Sequence, residues 1–349
     1  MILKETKHLF GLYASELRPL NIMVEITNKC NFNCIHCYID RKKNLCIDSK
    51  KFEEILVSLQ KLGCFKITFT GGEPLTHPEF DKIISLTEQY QFIFSIFTNG
   101  HLLTEKIIKR LRLSKYFGGF HISFYGVSSA IHDKITGIQG SFDKLMSNIE
   151  SLKKNGIKFI LKTAIMKHNY REWEDIMIFC SENNYKHAME FTFLPREDKS
   201  SDNCDLMLPE NELIKINQIL AKKYKKKLIL ESPQNREEFL NRHICVAGKN
   251  KLCISYNGDV YPCIILRKSA GNIFNDNLEN IWYNSDWLDE LRKVKNKDIE
   301  GCKNCNLIDF CKYKCPGVSF MRYGTIYKSP EVRCLIARIN KEVKENEKI

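Results

Sequence analysis

Short apolar runs alternate with amphipathic stretches along residues 22–194. Six runs rich in β-branched and aromatic residues, at 22–27, 65–70, 92–97, 119–125, 157–165 and 188–194, predict strands. Between the first two, Phe52, Ile55, Leu56, Leu59 and Leu62 recur at helical spacing, and Gly63 stands where a helix-stopping glycine belongs. Phe142, Leu145, Met146, Ile149 and Leu152 repeat the pattern, with Ser141 as the predicted N-cap and Gly156 as the stop. Strands separated by helices of this length predict right-handed β–α–β units and a parallel sheet, hence an α/β fold. The alternation fades after residue 195. Residues 196–240 read as a polar connector with one helix starting near Pro209, and 241–335 as a cysteine-rich domain. A helix over Arg333–Lys348 closes the chain, its part at 336–349 lying beyond that domain.

Composition narrows the class. A chain of 349 residues with 43% hydrophobic content can bury one large core, leaving about 90 to 100 residues for a smaller domain. No run of 18 apolar residues and no signal-peptide pattern occurs, so neither a membrane span nor export is expected, and a cytoplasmic location is. Fifteen cysteines in such a chain suit a reducing compartment better than a disulfide framework. The net charge of +12 is a weak sign of nucleic acid, because cluster thiolates would offset much of it. The run Lys222–Lys227 reads as a solvated helix end, and no nucleic-acid partner is expected.

The cysteines carry the chemistry. Cys30, Cys34 and Cys37, spaced C-x₃-C-x₂-C, follow directly on the apolar run Ile22–Ile26 and so lie in the loop leaving the first strand. Three thiolates hold a four-iron cluster and leave one iron open for a small molecule. The competing reading is a zinc knuckle with His36 as fourth ligand. Eight more thiols follow: Cys245, Cys253, Cys263 at the end of Gly258–Cys263, a C-x₂-C-x₅-C-x₃-C run of Cys302, Cys305, Cys311 and Cys315, and Cys334. Eight ligands satisfy two fully capped four-iron clusters or two Cys₄ zinc sites. Cys46, Cys64, Cys180 and Cys204 lie outside these motifs and read as ordinary thiols.

The triplet, the segment Gly71-Gly72-Glu73-Pro74, the stretch His121–Gly126 and the C-terminal cysteine series together resemble the radical SAM superfamily, in the branch that carries a SPASM domain. The resemblance covers roughly residues 20 to 335. It implies a partial (β/α)₆ barrel, open on one side, over 1–195, with a small SPASM domain over 241–335. It implies an enzyme with S-adenosylmethionine (SAM) on the open iron and three [4Fe–4S] clusters in all. The chemistry of such barrels lies at the C-terminal strand ends, where the triplet, Gly71–Pro74 and Thr98-Asn99-Gly100 all fall.

The resemblance assigns Gly71 and Gly72 to the approach of the SAM amino group, with Glu73 accepting from it. Ser123 matches a position that contacts SAM, Asn99 is a further candidate, and His36 takes the place of an aromatic residue against the adenine. Tyr125 stands where many relatives carry Asp, and the arginine that relatives often place near Thr136 is missing. The implied auxiliary ligands are Cys245, Cys253, Cys263 and Cys315 for one cluster, and Cys302, Cys305, Cys311 and Cys334 for the other. Relatives mostly modify peptides or protein side chains, so the expected substrate is a small peptide cross-linked by a thioether or carbon–carbon bond, with flavodoxin or ferredoxin as external electron donor. The sulfatase-maturing branch carries Asp after the cysteine of the G-x₄-C segment, where this chain has Ile264. The chain lacks room before residue 20 for the leader-binding domain of many maturases. An anaerobic sulfatase-type formylglycine maturase, an oxidoreductase on a non-peptide metabolite and a non-catalytic zinc module are the alternatives.

Overall fold

The computed structural model describes residues 12–40, 44–191, 193–198, 200, 202–223, 235–311 and 315–346. The chain divides into two units. The first takes the described residues up to Met207 together with Gly248–Ile264 and Lys268–Leu288, and the second Leu208–Ala247, Ile265–Arg267 and the described residues from Asp289 on.

The first unit is built on a nine-stranded sheet of order β6-β5-β4-β3-β2-β1-β7-β8-β9. Strands β1 (Asn21–Thr27), β2 (Lys66–Gly71), β3 (Ile93–Thr98), β4 (Phe117–Ser123), β5 (Phe159–Ala164) and β6 (Lys186–Glu190) run parallel, each beside the next in sequence. This is the expected α/β winding, open because β6 and β9 are both edges. Helices α1 (Ser49–Lys61), α2 (Phe80–Gln89), α3 (Glu105–Arg112), α4 (Ser129–Thr136), α5 (Ser141–Lys154) and α6 (Trp173–Glu182) fill the crossovers.

Register sorts the two faces of the sheet. In a parallel pair, partners project to the same side, and side chains alternate along each strand. Ile22, Val24, Ile67, Phe69, Ile96, Phe120, Ile122 and Leu161 share one face, and all are almost completely buried in one core with Phe52, Leu56 and Leu59 of α1. Each such side chain contributes about 1.5–3 kcal/mol. Met23, Glu25, Thr68, Thr70, Ser95, Phe97, His121, Ser123 and Lys162 occupy the other face. A strand row that would otherwise be apolar throughout carries polar groups there, and that face is the one available for chemistry.

Two local expectations change. Helix α5 begins at Ser141 but its N-cap is Gly140, with φ +76°. Ser141 Oγ instead donates to Asp133 Oδ1 (2.8 Å), and the same carboxylate accepts from Gly140 N (2.6 Å) and Phe142 N (2.9 Å). A carboxylate from α4 thus caps the helix in place of the serine. Strand β6 spans Lys186–Glu190 and not 188–194; beyond it the chain turns its hydrogen bonds to the cysteine loop, as described below. Thr192 and the part of the basic run from Tyr224 to Lys227 lie outside the described residues.

Strand β7 (Lys251–Ile254) pairs parallel with β1, and β8 (Asp259–Tyr261) and β9 (Gly271–Asn272) extend the sheet antiparallel. The sheet therefore continues beyond residue 241, where the cysteine-rich part was expected to begin. In the second unit, α7 (Glu210–Lys222), preceded by Pro209 as foreseen, packs on α12 (Glu331–Asn346). Helix α8 (Arg236–Asn241) is tied down where Asn296 Nδ2 donates to Phe239 O (2.8 Å). Helix α9 (Leu278–Asn284) belongs to the first unit, α10 (Asp286–Lys293) runs from the first unit into the second, and α11 (Pro316–Tyr323) lies in the second. Among the described residues no helix is long and apolar enough to cross a membrane.

Candidate cluster and cofactor site

The end of β1 and the end of β2 are locked together before the first cysteine. Gly72 N donates to Thr27 O (2.8 Å) and Glu73 N to Lys29 O (2.8 Å). A Cβ on Gly71 would sit 2.2 Å from Thr27 O, and one on Gly72 2.3 Å from Lys29 O, so only glycine allows this approach. The two glycines thus have a reason within the protein: they seat β2 against the stem of the cysteine loop.

Glu73 is completely buried at the same junction. Its Oε1 accepts from Thr98 Oγ1 (2.8 Å) and Leu75 N (3.1 Å), and its Oε2 from Asn99 N (2.7 Å). Burial pushes its carboxyl up to about 7, against the pull of the three donors. Its oxygens bind the ends of β2 and β3 with three donors, one short of the roughly four a carboxylate can accept. Through it Asn99 is set over the loop, where its Nδ2 donates to Asn31 Oδ1 (2.8 Å) and lies 4.0 Å from Cys30 Sγ.

None of the fifteen cysteines is in a disulfide, and Cys30, Cys34 and Cys37 are partly accessible. Phe32 N–H donates to Cys30 Sγ at 3.4 Å, from two residues on. The same contact recurs where Ala247 N–H meets Cys245 Sγ and Leu307 N–H meets Cys305 Sγ, each at 3.4 Å. Backbone donors aimed at sulfur favour the thiolate, the form that ligates iron, and tune a cluster when it is bound. Cys302, Cys311, Cys315 and Cys253 are buried. Among the described residues no three His, Cys, Asp or Glu side chains converge as ligands of a single metal ion do. The thiols of a four-iron cluster sit at separate corners, and Cys30, Cys34 and Cys37 all lie near enough to the Tyr125 phenol to raise its pKa, so they share the one neighbourhood that cluster ligands need.

Tyr125 and Ser123 stand beside the loop, and His36 is part of it. The Tyr125 phenol bonds with Ser123, and burial first, then the neighbouring Cys34, holds its pKa well above the ordinary value. Its backbone is fixed by Asn169 Nδ2 on Tyr125 O (2.9 Å). The His36 ring meets Tyr125 edge-on at 4.9 Å and Phe193 at 5.7 Å. Burial, and secondarily the Arg196 charge, lowers His36 to about 4, so the imidazole is neutral at pH 7. Its Nδ1 is enclosed and has no hydrogen-bond partner among the described residues. A neutral ring packed among aromatic edges suits stacking.

Sequence reasoning missed the segment after β6. Arg196, Glu197 and Asn203 meet the carbonyls of four successive loop residues. Arg196 donates to Ile35 O (3.0 Å) and Cys37 O (2.9 Å), Asn203 Nδ2 to His36 O (3.2 Å), and Glu197 N to Tyr38 O (2.9 Å). Glu197 Oε2 accepts in turn from Asp40 N (2.8 Å) and from the Tyr256 hydroxyl. No local motif marks these residues, since the loop they serve lies about 160 positions earlier.

A family model described as the radical SAM superfamily matches residues 24–180, and one described as an iron–sulfur cluster-binding domain, SPASM, matches 245–306. The mycofactocin maturase MftC of Mycobacterium tuberculosis (strain ATCC 25618 / H37Rv) is 24% identical over 331 residues, covering 91% of this chain and 83% of its own. An AdoMet-dependent heme synthase of Methanosarcina barkeri is 25% identical over 344 residues, with 91% and 96% covered. The crystal structure of Streptococcus suis SuiB bound to the precursor peptide SuiA matches the fold with a TM-score of 0.68 at 19% identity, over 94% of this chain and 80% of that one.

Proposed function

Since this chain belongs to the radical SAM superfamily, in the branch with a SPASM iron–sulfur domain, we propose that it matures a small peptide by forming a thioether or carbon–carbon cross-link. The observation that carries the reading is the cysteine loop itself. Three accessible thiols leave the C-terminal end of β1, in a parallel sheet whose other face is polar, and a backbone N–H is aimed at the first sulfur. The likeness to a mycofactocin maturase over 91% of the chain, and a fold shared with SuiB, solved with a precursor peptide bound, support the substrate class.

Cys30, Cys34 and Cys37 would hold the first cluster, with Asn99, Ser123, His36 and the Gly71–Glu73 turn around SAM. When bound, the reduced cluster would supply the single electron for reductive cleavage of SAM, the chemistry that abstracts a hydrogen atom from the substrate. The protein positions the groups and keeps competing hydrogen donors out. Buried Tyr125 and Phe193 close the loop on one side with apolar rings. Cys245, Cys253, Cys263 and Cys315, and separately Cys302, Cys305, Cys311 and Cys334, would hold two auxiliary clusters, three clusters in all. Those clusters would supply an acceptor for the electron left on the substrate, and flavodoxin or ferredoxin would supply the first electron. Ile264 offers no base where formylglycine-forming relatives have a carboxylate, which disfavours sulfatase-type chemistry. The heme synthase, matched over 96% of its own length, favours a second reading in which the substrate is a non-peptide metabolite.

Anaerobic reconstitution tests the site: about twelve irons per chain are expected, from three four-iron clusters. Replacing Cys30, Cys34 and Cys37 together by alanine should remove about four of them and all SAM cleavage. Unchanged iron in that variant would refute the first site.

A further inference from the structure

Two cysteine turns in this chain, in different units and unrelated in sequence context, are held in the same way. In Cys34–Cys37, the second cysteine's N–H closes the turn on the first cysteine's carbonyl at 3.1 Å. In Cys302–Cys305 the same bond is 3.2 Å. At the first turn, the Arg196 guanidinium donates Nη2–H to Ile35 O (3.0 Å) and Nη1–H to Cys37 O (2.9 Å). At the second, Arg236 donates Nη2–H to Lys303 O (2.6 Å) and Nη1–H to Cys305 O (3.0 Å). In both, the fork spans the carbonyl of the residue after the first cysteine and the carbonyl of the second cysteine.

The geometry points to Arg196 and Arg236 as positioning residues, each of which presets one C-x-x-C turn to receive its cluster. The physical reason lies in the peptide plane and the guanidinium. Two parallel N–H donors in a rigid fork fix two carbonyls at once, which a lysine ammonium, a point charge, does not do. In a trans peptide the N–H points opposite to the C=O, so pinning a carbonyl away from the sulfurs also fixes where the next N–H points. The turn then keeps its shape without metal, and less conformational entropy is lost when the thiolates close on iron. Arg196 is itself braced, its Nε donating to Asp202 Oδ1 at 2.9 Å. Its side chain is 26% exposed, so its charge is only partly screened near the first cluster. A fixed positive charge there stabilises the more negative, reduced form.

This inference rests on the reading of both turns as cluster ligands, and the test separates the two. Full-length wild type, Arg196→Gln, Arg236→Gln and Arg196→Lys are reconstituted anaerobically and challenged with an iron chelator. Iron loss, the electron-spin resonance signal of each cluster and the midpoint potential of the SAM-responsive cluster are followed. The Arg196→Gln protein should lose the SAM-responsive signal about tenfold faster than wild type, the factor expected from one charged hydrogen bond, while the other signals persist. Its midpoint should move to lower potential. The Arg236→Gln protein should do the reverse, releasing an auxiliary cluster about as much faster and sparing the SAM-responsive one. Arg196→Lys should restore the midpoint but not the retention. Asp202→Asn, which leaves the guanidinium in place, should show intermediate lability, and it carries the test if Arg196→Gln does not fold. Equal loss rates in all variants, simultaneous loss of every cluster from either glutamine variant, or full recovery by lysine would overturn the inference. A wild type with no SAM-responsive signal would instead refute the cluster reading itself.

Discussion

Glu73 is the residue on which the site's stem depends. Glutamine in its place keeps the shape but turns an N–H₂ group toward donors, leaving at least one of Thr98, Asn99 and Leu75 unpaired in a buried setting. Glu73→Gln should therefore lower stability by about 1–3 kcal/mol, read from denaturant melts under argon. The pH dependence adds a signature. Burial raises the folded carboxyl to about 7, above its ordinary 4.5, so the folded state binds a proton more tightly than the unfolded chain does. The stability gained that way is full below about 4.5 and is lost as pH rises through 7. Melting temperature should thus fall between pH 5 and 8 more steeply for wild type than for Glu73→Gln; parallel profiles would show that this carboxyl is ionised throughout. Motif order pointed to Glu73 in the sequence, but not its hydrogen bonds, because its partners Thr98 and Asn99 lie a whole β–α unit away. Tyr125 was legible only as a departure from relatives, although its phenol stands beside Ser123 and the loop thiols.

Strands and helices were largely readable at the level of elements. The six parallel strands lie within a few residues of the hydrophobic runs, since strands facing a helix layer must place Ile, Val and Phe at alternate positions. What periodicity could not tell was how elements end. Ser141 has the chemistry of an N-cap, yet Asp133 outcompetes it by offering two charged oxygens to three donors. The end of β6 was misplaced because residues beyond it, Arg196 and Asn203 among them, bond to a distant loop and not to a neighbouring strand. The β1–β2 junction yields a sharp expectation. Gly72→Ala would force a methyl group against Lys29 O and Asn28 O, at 2.3 and 2.6 Å from the ideal Cβ, and so push the cysteine loop's stem away. The variant should lose about four irons on reconstitution, those of the first cluster, and retain the rest. Full iron content with unchanged SAM affinity would show that the junction yields without disturbing the loop.

For the whole molecule, order along the chain made both domains recognisable, but β7–β9 escaped notice. Each is four residues or shorter, and they lie among cysteines that drew the reading toward metal. Their place beside β1 makes one sheet carry both the cysteine loop and the hairpin that leads to Cys263. The proposed reaction uses both kinds of cluster in sequence, which leads to the most direct test. The reconstituted enzyme is incubated with SAM, a reductant and any short cysteine- or aromatic-rich peptide found encoded nearby, and peptide and nucleoside are weighed by mass spectrometry in one reaction. The account predicts a peptide lighter by two hydrogens for each 5′-deoxyadenosine formed, and, in a Cys263→Ala, Cys305→Ala double variant, deoxyadenosine without the cross-link. A full yield of the lighter peptide from that variant would contradict the role of the auxiliary clusters. Formylglycine from a sulfatase-type peptide, or turnover of a non-peptide metabolite alone, would contradict peptide cross-linking.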